Sequence, residues 1–180
     1  MSIFKRTCTV AVLSALSITM ANAQTQANVG VHKDWSVFVS GEGAAKNCWI
    51  VSRPTAKTAT KGGKTTQVRR GDIFLMVSVR PGDGVKNEVS FFAGYPFKAG
   101  SEVELTVGSN RLTMFTGDGD LDEIAWLPTA QDDDRAVSRF RAGARAQIKG
   151  LSARGTTTID TFSLSGFTAA INSAKEKCSA

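Results

Sequence analysis

Short segments of alternating hydrophobicity, separated by turn residues, recur along most of the chain. In one of them, Val103, Leu105 and Val107 fall on one side, while Glu102 and Glu104 fall on the other. Strict alternation over about five residues is typical of a β-strand with one buried face. About nine such segments follow one another, which predicts an all-β, β-sandwich-like domain of short strands.

Two segments change to the helical period. In the first, Ala136, Val137 and Phe140 share one face, a preceding aspartate is the expected N-cap, and Gly143 ends the helix. The second lies at the C-terminus and carries one apolar stripe. We expect both helices to pack on the sheet, at an edge or an end. The members of the C-terminal stripe are Phe167, Ala170, Ile171, Ala174 and Cys178.

The N-terminus has the order of a secretory signal peptide. Lys5 and Arg6 precede an apolar run, and a small-residue site ends at Ala23. A transmembrane anchor is the alternative, but the run is shorter than the roughly 20 residues that a spanning helix needs. Cleavage between Ala23 and Gln24 predicts a periplasmic or secreted protein without a transmembrane segment in its mature chain. The predicted parts are a signal peptide over residues 1–23, a flexible segment over residues 24–34 and one domain over residues 35–180.

The cysteine count predicts one disulfide bond. Cys8 leaves with the signal peptide, so Cys48 and Cys178 are the two cysteines of the mature chain. An exported protein meets an oxidising compartment, where such a pair normally closes. The alternative is a metal site with two thiolate ligands, but the single histidine, His32, lies far away near the mature N-terminus.

A polar stretch rich in Thr, Gly and Lys over residues 55–70 is interpreted as a long exposed loop. Loss of Lys5 and Arg6 leaves 20 basic and 16 acidic residues, a net charge of +4. This mild excess permits attraction to anionic surfaces, and the loop has no aromatic residues with which to stack nucleic acid bases. A polyanion is a candidate ligand, and a solvated basic loop is the alternative. The basic residues concerned are Lys57, Lys61, Lys64, Arg69 and Arg70.

The tripeptide Arg70-Gly71-Asp72 is one that animal adhesion receptors can bind. It precedes the apolar strand that starts near Ile73, where Gly permits a tight turn and Asp can accept hydrogen bonds from nearby amides. A receptor would need Asp72 at an exposed loop tip. We therefore interpret the tripeptide as a junction between loop and strand, and keep Asp72 as a possible interaction residue.

Signals for catalysis, metals and cofactors are weak. Residues 118–123 carry alternating carboxylates, but Glu123 and Thr129 stand where an EF-hand loop needs Gly and Glu, so an exposed acidic turn is favoured over a calcium site. Glu88, Glu102 and Glu104 are available for a glycosidase pair, but the latter two form the solvated side of one alternating strand. The sequence therefore predicts no catalytic residue, no metal site and no cofactor.

Several segments resemble the bacterial invasion-associated locus B family. They are "WSVF", "CWIVSRP", "RRGDIFLMVSVRP", "KNEVSFFAGYPFKAGSEVELTVG" and "TTTIDTFSLSGFTAAINSAKEKC". The resemblance runs from about Trp35 to Cys178 and implies an exported, β-sandwich-like protein of Gram-negative bacteria. The family is named after a member tied to entry into host cells.

The resulting functional hypothesis is a non-catalytic binding or interaction protein of the periplasm or cell envelope. Its expected partner is an envelope or host protein, or an anionic glycan or lipid of the envelope, and not a nucleic acid. One alternative is a secreted host-cell adhesion or invasion factor. A second alternative is a hydrolase with an unrecognised carboxylate site.

Overall fold

The computed structural model of the protein describes residues 26–179. The predicted signal peptide and its cleavage site lie outside the described residues. The described part contains twelve β-strands and two α-helices, so the predicted all-β class with two packed helices is confirmed. The strands are β1 (Ala27–His32), β2 (Trp35–Ser40), β3 (Asn47–Ser52), β4 (Ala56–Lys61), β5 (Lys64–Thr65), β6 (Phe74–Arg80), β7 (Val85–Phe92), β8 (Val103–Val107), β9 (Asn110–Thr116), β10 (Ile124–Trp126), β11 (Arg145–Leu151) and β12 (Thr157–Ser163). The helices are α1 (Ala130–Ala142) and α2 (Phe167–Ser179).

The strands form one antiparallel sheet that folds back on itself. Their order is β1-β2-β3-β6-β7-β10-β9-β8-β11-β12-β4-β5. β10 joins β9 through two residue pairs, Ala125 with Thr116 and Trp126 with Phe115, so the link between the two halves is narrow. The rings of Phe91 on β7 and Phe162 on β12 lie 6.1 Å apart although four strands separate them in the sheet order. The halves therefore face each other across a shared core, as in a sandwich.

The C-terminal helix completes this core. All five residues of the predicted stripe are buried, which confirms the helical periodicity. Phe167 meets Trp35 of β2 and Phe140 of α1 edge to face, with ring centroids 5.0 and 5.2 Å apart. These aromatic contacts fix both helices against the first half of the sheet.

The predicted disulfide between Cys48 and Cys178 is present. It joins β3 to the last turns of α2, with a Cα–Cα distance of 5.9 Å, within the range of ordinary disulfides. Both cysteines are buried, so the bond lies in the core and anchors the end of α2.

Two polar segments are strands rather than a flexible end and a loop. β1 lies within the segment predicted to be flexible over residues 24–34, and it pairs with β2 from His32–Trp35 to Ala27–Val39. β4 and β5 form a hairpin within the predicted loop over residues 55–70, and β4 pairs with β12. Ala59 is the one buried residue of β4. Backbone hydrogen bonds to neighbouring strands stabilise β1 and β4. Their side chains do not alternate between polar and apolar, which is the pattern that predicts a strand from sequence.

The N-terminus of α1 also differs from the prediction. The N-cap is Thr129, whose hydroxyl oxygen accepts a hydrogen bond from the Asp132 amide at 3.1 Å, not an aspartate. Asp133 has a different role, because its Oδ1 accepts a hydrogen bond from the Val89 amide at 2.9 Å. β10 pairs with β7 only over Ser90–Phe92. The Val89 amide lies just beyond this pairing, and the Asp133 carboxylate accepts its hydrogen bond in place of a strand. Burial raises the pKa of Asp133 to about 6.

Removal of the disulfide is expected to destabilise the protein by about 2–5 kcal/mol. The bond closes a segment of 130 residues, so its loss frees many conformations of the unfolded chain. The comparison is between the double variant Cys48→Ser/Cys178→Ser and oxidised wild type in guanidinium unfolding. Reduced wild type should behave like the variant, and limited proteolysis should cut α2 first. Equal unfolding midpoints for variant and oxidised wild type would contradict the prediction.

Asp133→Asn is expected to stabilise the protein above pH 6 by about 1–2 kcal/mol. The folded-state pKa of Asp133, about 6, lies above its ordinary value of 3.8. The folded wild type therefore retains a proton that the unfolded chain loses, and its stability falls as pH rises from about 4 to about 6. Asn keeps an oxygen for the Val89 amide but carries no charge. Urea unfolding at pH 4, 5, 6 and 7 measures the effect, and the control is Asp120→Asn, an exposed carboxylate that is not among the charges acting on Asp133. An unchanged pH dependence in Asp133→Asn would show the assignment to be wrong.

Candidate anion-binding cleft

Arg70 joins the two halves of the sheet. It lies between β5 and β6, and its side chain donates from Nη1 and Nη2 to the two carboxylate oxygens of Asp160 on β12, both at 2.7 Å. Its Nε and Nη2 also donate to the Ala93 carbonyl, which follows β7, at 2.9 and 2.7 Å. The side chains of Arg70 and Asp160 are 6% and 0% exposed, so this is a buried, bidentate ion pair.

Tyr95 packs against the same guanidinium group. Its ring lies 4.8 Å from the Arg70 Cζ, and its hydroxyl is 2.7 Å from the Thr158 hydroxyl on β12. Burial raises the pKa of Tyr95 and of Asp160, while Arg70 acts in the opposite direction on both. The Arg70 guanidinium thus offsets part of the cost of burying the Asp160 carboxylate.

Two glycines allow the segment that carries Arg70 to pass close to the chain after β7. The Gly71 amide donates to the Gly94 carbonyl at 2.8 Å. Gly94 has a φ of +67°, and a Cβ at this position would lie 2.7 Å from the backbone of Gly71. Any other residue at position 94 would be strained in its backbone and would push away the segment that holds Arg70.

A depression lies on each side of the segment Thr66–Arg70, and together they are called the basic cleft. One encloses about 570 Å³ and is bounded by β4 and the start of β6. The other encloses about 510 Å³ and is bounded by Tyr95 and the turn between β11 and β12. Both volumes are within the range of small-ligand sites.

The exposed charges of the basic cleft are mostly positive. Lys57, Lys61, Arg69 and Arg154 line it, whereas Glu123 is the one exposed carboxylate among its lining residues. None of the four cations forms a salt bridge with a residue in the range 26–179. Their charges therefore remain available to an anion from solvent.

The structure separates the six predicted interaction residues into four groups. Lys57, Lys61 and Arg69 come together in the basic cleft, where their role in binding stays a prediction. Lys64 is exposed on β5 but does not line the cleft. The guanidinium of Arg70 is buried and pairs with Asp160, so it lies apart from the exposed cations of the cleft. Asp72 is a surface residue that pairs with Arg53 at 2.9 Å.

In the tripeptide Arg70-Gly71-Asp72, the first side chain is buried and the last is exposed. The side chain of Asp72 is 72% exposed, which the sequence did not indicate, but that of Arg70 is only 6% exposed. A receptor that reads both charges needs both on the surface. The buried arginine supports the interpretation of this tripeptide as a structural junction.

The acidic turn and the candidate catalytic carboxylates form no recognisable centre. A short 3-10 turn spans Gly119–Leu121, and the described residues include no group of three or more His, Cys, Asp or Glu side chains arranged to hold a metal ion. Glu88 binds Arg80 and Glu104 binds Arg111, so both carboxylates have basic partners.

No helix in the described part is long and apolar enough to cross a membrane.

Sequence reasoning missed Arg154, Tyr95 and Asp160 as parts of this region. Arg154 reaches the basic cleft because β12 pairs with β4, with Thr157 opposite Thr60, which brings the β11–β12 turn beside the β4–β5 hairpin. About 100 residues of chain separate these strands. No local pattern reports such a pairing, and an isolated Asp within an alternating strand was the only available signal for Asp160.

The comparisons with known proteins agree with the fold. The family model for invasion associated locus B (IalB) protein matches residues 35–175. A crystal structure of invasion associated protein B from Bartonella henselae is similar, with a TM-score of 0.57 and 16% sequence identity. The match covers 84% of this chain and 98% of that one. A search of curated proteins found no match.

Arg70→Met is expected to destabilise the protein by about 3–5 kcal/mol, because it leaves Asp160 buried without a partner. Arg53→Met is the matched control, since it removes the exposed pair with Asp72 and should cost no more than about 1 kcal/mol. Urea unfolding at pH 7 provides the measurement. The double variant Arg70→Met/Asp160→Leu should recover part of the loss. Similar losses in Arg70→Met and Arg53→Met would refute the assigned role of the buried pair.

Proposed function

Because the chain belongs to the invasion-associated locus B family, we propose that it is an exported, non-catalytic binding protein of the bacterial cell envelope and that the basic cleft is its binding surface. The observation that carries this proposal is the set of unpaired cations around a rigid floor. Lys57, Lys61, Arg69 and Arg154 surround the segment that Arg70 fastens to both halves of the sheet.

The proposed ligand is an anionic group of an envelope glycan or lipid. Phosphate and carboxylate groups attract lysine and arginine side chains, and the two depressions are open enough to admit a group that belongs to a larger molecule. Tyr95 and the half-exposed Val68 add apolar area beside the charges, which suits a ligand with both polar and apolar parts. The carboxylate of Glu123 at the rim would repel a ligand that carries negative charge on every side.

Export to the periplasm or beyond is part of the same proposal. Its support is the disulfide between Cys48 and Cys178, because such bonds persist in oxidising compartments, together with the signal-peptide pattern over residues 1–23. Intact mass of the protein recovered from a periplasmic fraction tests it. A mass that still includes residues 1–23 would contradict this part of the proposal.

A direct role in host-cell adhesion is the second candidate, since the structural neighbour is described as invasion associated. The buried Arg70 does not favour adhesion through Arg70-Gly71-Asp72. Any host contact would more readily use the basic cleft, which is exposed. Both candidates therefore lead to the same first experiment on the same residues.

Lys61→Gln/Arg69→Gln is expected to weaken binding to lipopolysaccharide and to phosphatidylglycerol vesicles by at least about fivefold at low salt. The control, Lys64→Gln/Lys98→Gln, removes the same charge from exposed positions outside the basic cleft. Vesicle co-sedimentation and calorimetry measure the association, with phosphatidylcholine vesicles as the neutral reference. Raising the salt concentration should reduce wild-type binding.

Three results would overturn the assignment to the cleft. Equal losses in the two double variants would mean that net charge alone drives association. Equal binding to anionic and neutral vesicles would exclude an electrostatic site. No binding of wild type to either anionic probe would refute the proposal outright.

A further inference from the structure

A second concave surface lies at the narrow link between the two halves of the sheet. It forms where β10 ends beside β7 and the chain turns into α1, and it encloses about 830 Å³. We call it the aromatic groove. Its lining residues used below are Lys86, Asn87, Glu88, Phe115, Trp126, Gln131, Asp133 and Asp134.

Two aromatic rings form one wall of the groove. Phe115 on β9 and Trp126 on β10 are paired across the strands, and their ring centroids lie 5.7 Å apart with planes inclined by 31°. Phe115 is 50% exposed because it lies on the outer face of β9, opposite to the face that carries the buried Met114. The exposed Phe115 and the partly exposed Trp126 therefore form an apolar wall.

Oxygen-rich side chains form the other wall. The Asn87 Nδ2 donates to the Asp134 Oδ1 at 2.6 Å, which holds both groups at the groove. The Asn87 Oδ1 is buried and has no hydrogen-bond partner in the structure. Because this oxygen is enclosed by protein atoms, the acceptors open to a ligand are the neighbouring exposed groups. Asp133 and Gln131 supply further oxygen atoms beside it.

From this combination we infer that the aromatic groove binds a neutral saccharide. The C–H face of a pyranose ring is apolar and flat enough to stack on aromatic rings, while its hydroxyl groups donate hydrogen bonds. Carboxylate oxygens are strong acceptors for such hydroxyls, and the exposed Asp134 and Gln131 supply acceptors in the groove lining. A groove with an apolar wall and a few convergent polar groups is the usual form of a small-ligand site.

Charge favours a neutral ligand over an ionic one. The carboxylates of Asp133 and Asp134 repel an anion, which separates this groove from the basic cleft. For an organic cation the negative charge is insufficient, because Glu88 is held by Arg80 through two hydrogen bonds of 2.9 Å and Lys86 is also present. A hydroxyl-rich, uncharged ring fits these conditions without an uncompensated charge.

This inference goes beyond the proposed function and does not depend on it. The lining residues of the aromatic groove and of the basic cleft do not overlap. Variants of one surface therefore test it without altering the other, and either proposal can fail alone.

The test uses the folded, oxidised protein and three neutral probes, chitotetraose, cellotetraose and maltotetraose. We expect at least one of them to bind with a Kd of about 0.1–1 mM, which calorimetry and NMR titration can measure. Phe115→Ala should reduce the association constant at least fivefold, since it removes half of the aromatic wall. The control is Ile159→Ala, which shortens another exposed apolar side chain, 36% exposed, outside the groove. Asp134→Asn provides a second variant with a small change in shape.

Each outcome decides the inference. Binding that Phe115→Ala weakens and that both Ile159→Ala and Lys61→Gln/Arg69→Gln leave unchanged supports a saccharide site in the aromatic groove. Absence of binding to all three probes at 20 mM overturns it, and so does binding that is equal in wild type and Phe115→Ala. Binding of choline without binding of any tetraose would overturn it in favour of an organic cation.

Discussion

The ion pair between Arg70 and Asp160 is the one salt bridge within residues 26–179 whose two side chains are both buried, and it connects the two halves of the sheet. One side chain reaches the carbonyl of Ala93 after β7 and the carboxylate on β12, so it fastens both halves of the folded sheet to the segment before β6. Because an unpaired charge in this position would be strongly unfavourable, the segment has one well-determined position. The floor of the basic cleft is thereby fixed before any ligand arrives, and ordering it upon binding requires little additional entropy.

The other constraints act where strands stop early. β10 has three residues, too few to cover the edge of β7, and the Asp133 carboxylate takes the Val89 amide that a longer strand would have paired. The same early ending leaves a concavity between α1 and the sheet, and it leaves Phe115 and Trp126 beside that concavity. A defect in the sheet and a potential ligand site thus have one origin. Open ends of sheets are common places for such sites because the scaffold around them is rigid while the edge is free.

The extent of what the sequence predicts depends on whether a signal is local. The alternation in β8 and the stripe on α2 were readable from residue spacing, and the pairing of Cys48 with Cys178 followed from the cysteine count; all three are confirmed. β1 and the β4–β5 hairpin were not readable, since their stability derives from backbone pairing with partners elsewhere in the chain. The same reason explains why Arg70 was interpreted as exposed: its partner Asp160 lies 90 residues away.

The disulfide also orders events in time. Synthesis proceeds from the N-terminus, and Cys178 stands 130 positions after Cys48, so the crosslink cannot form until all twelve described strands have been made. Cys48 on β3 therefore stays a free thiol, able to form a disulfide with another molecule, until α2 packs against the sheet. A chain interrupted anywhere before α2 would lack both the helix that covers Trp35 and the bond that retains it. Such fragments would expose apolar surface and a reactive sulfur together, and the cell could distinguish them from finished molecules on those grounds.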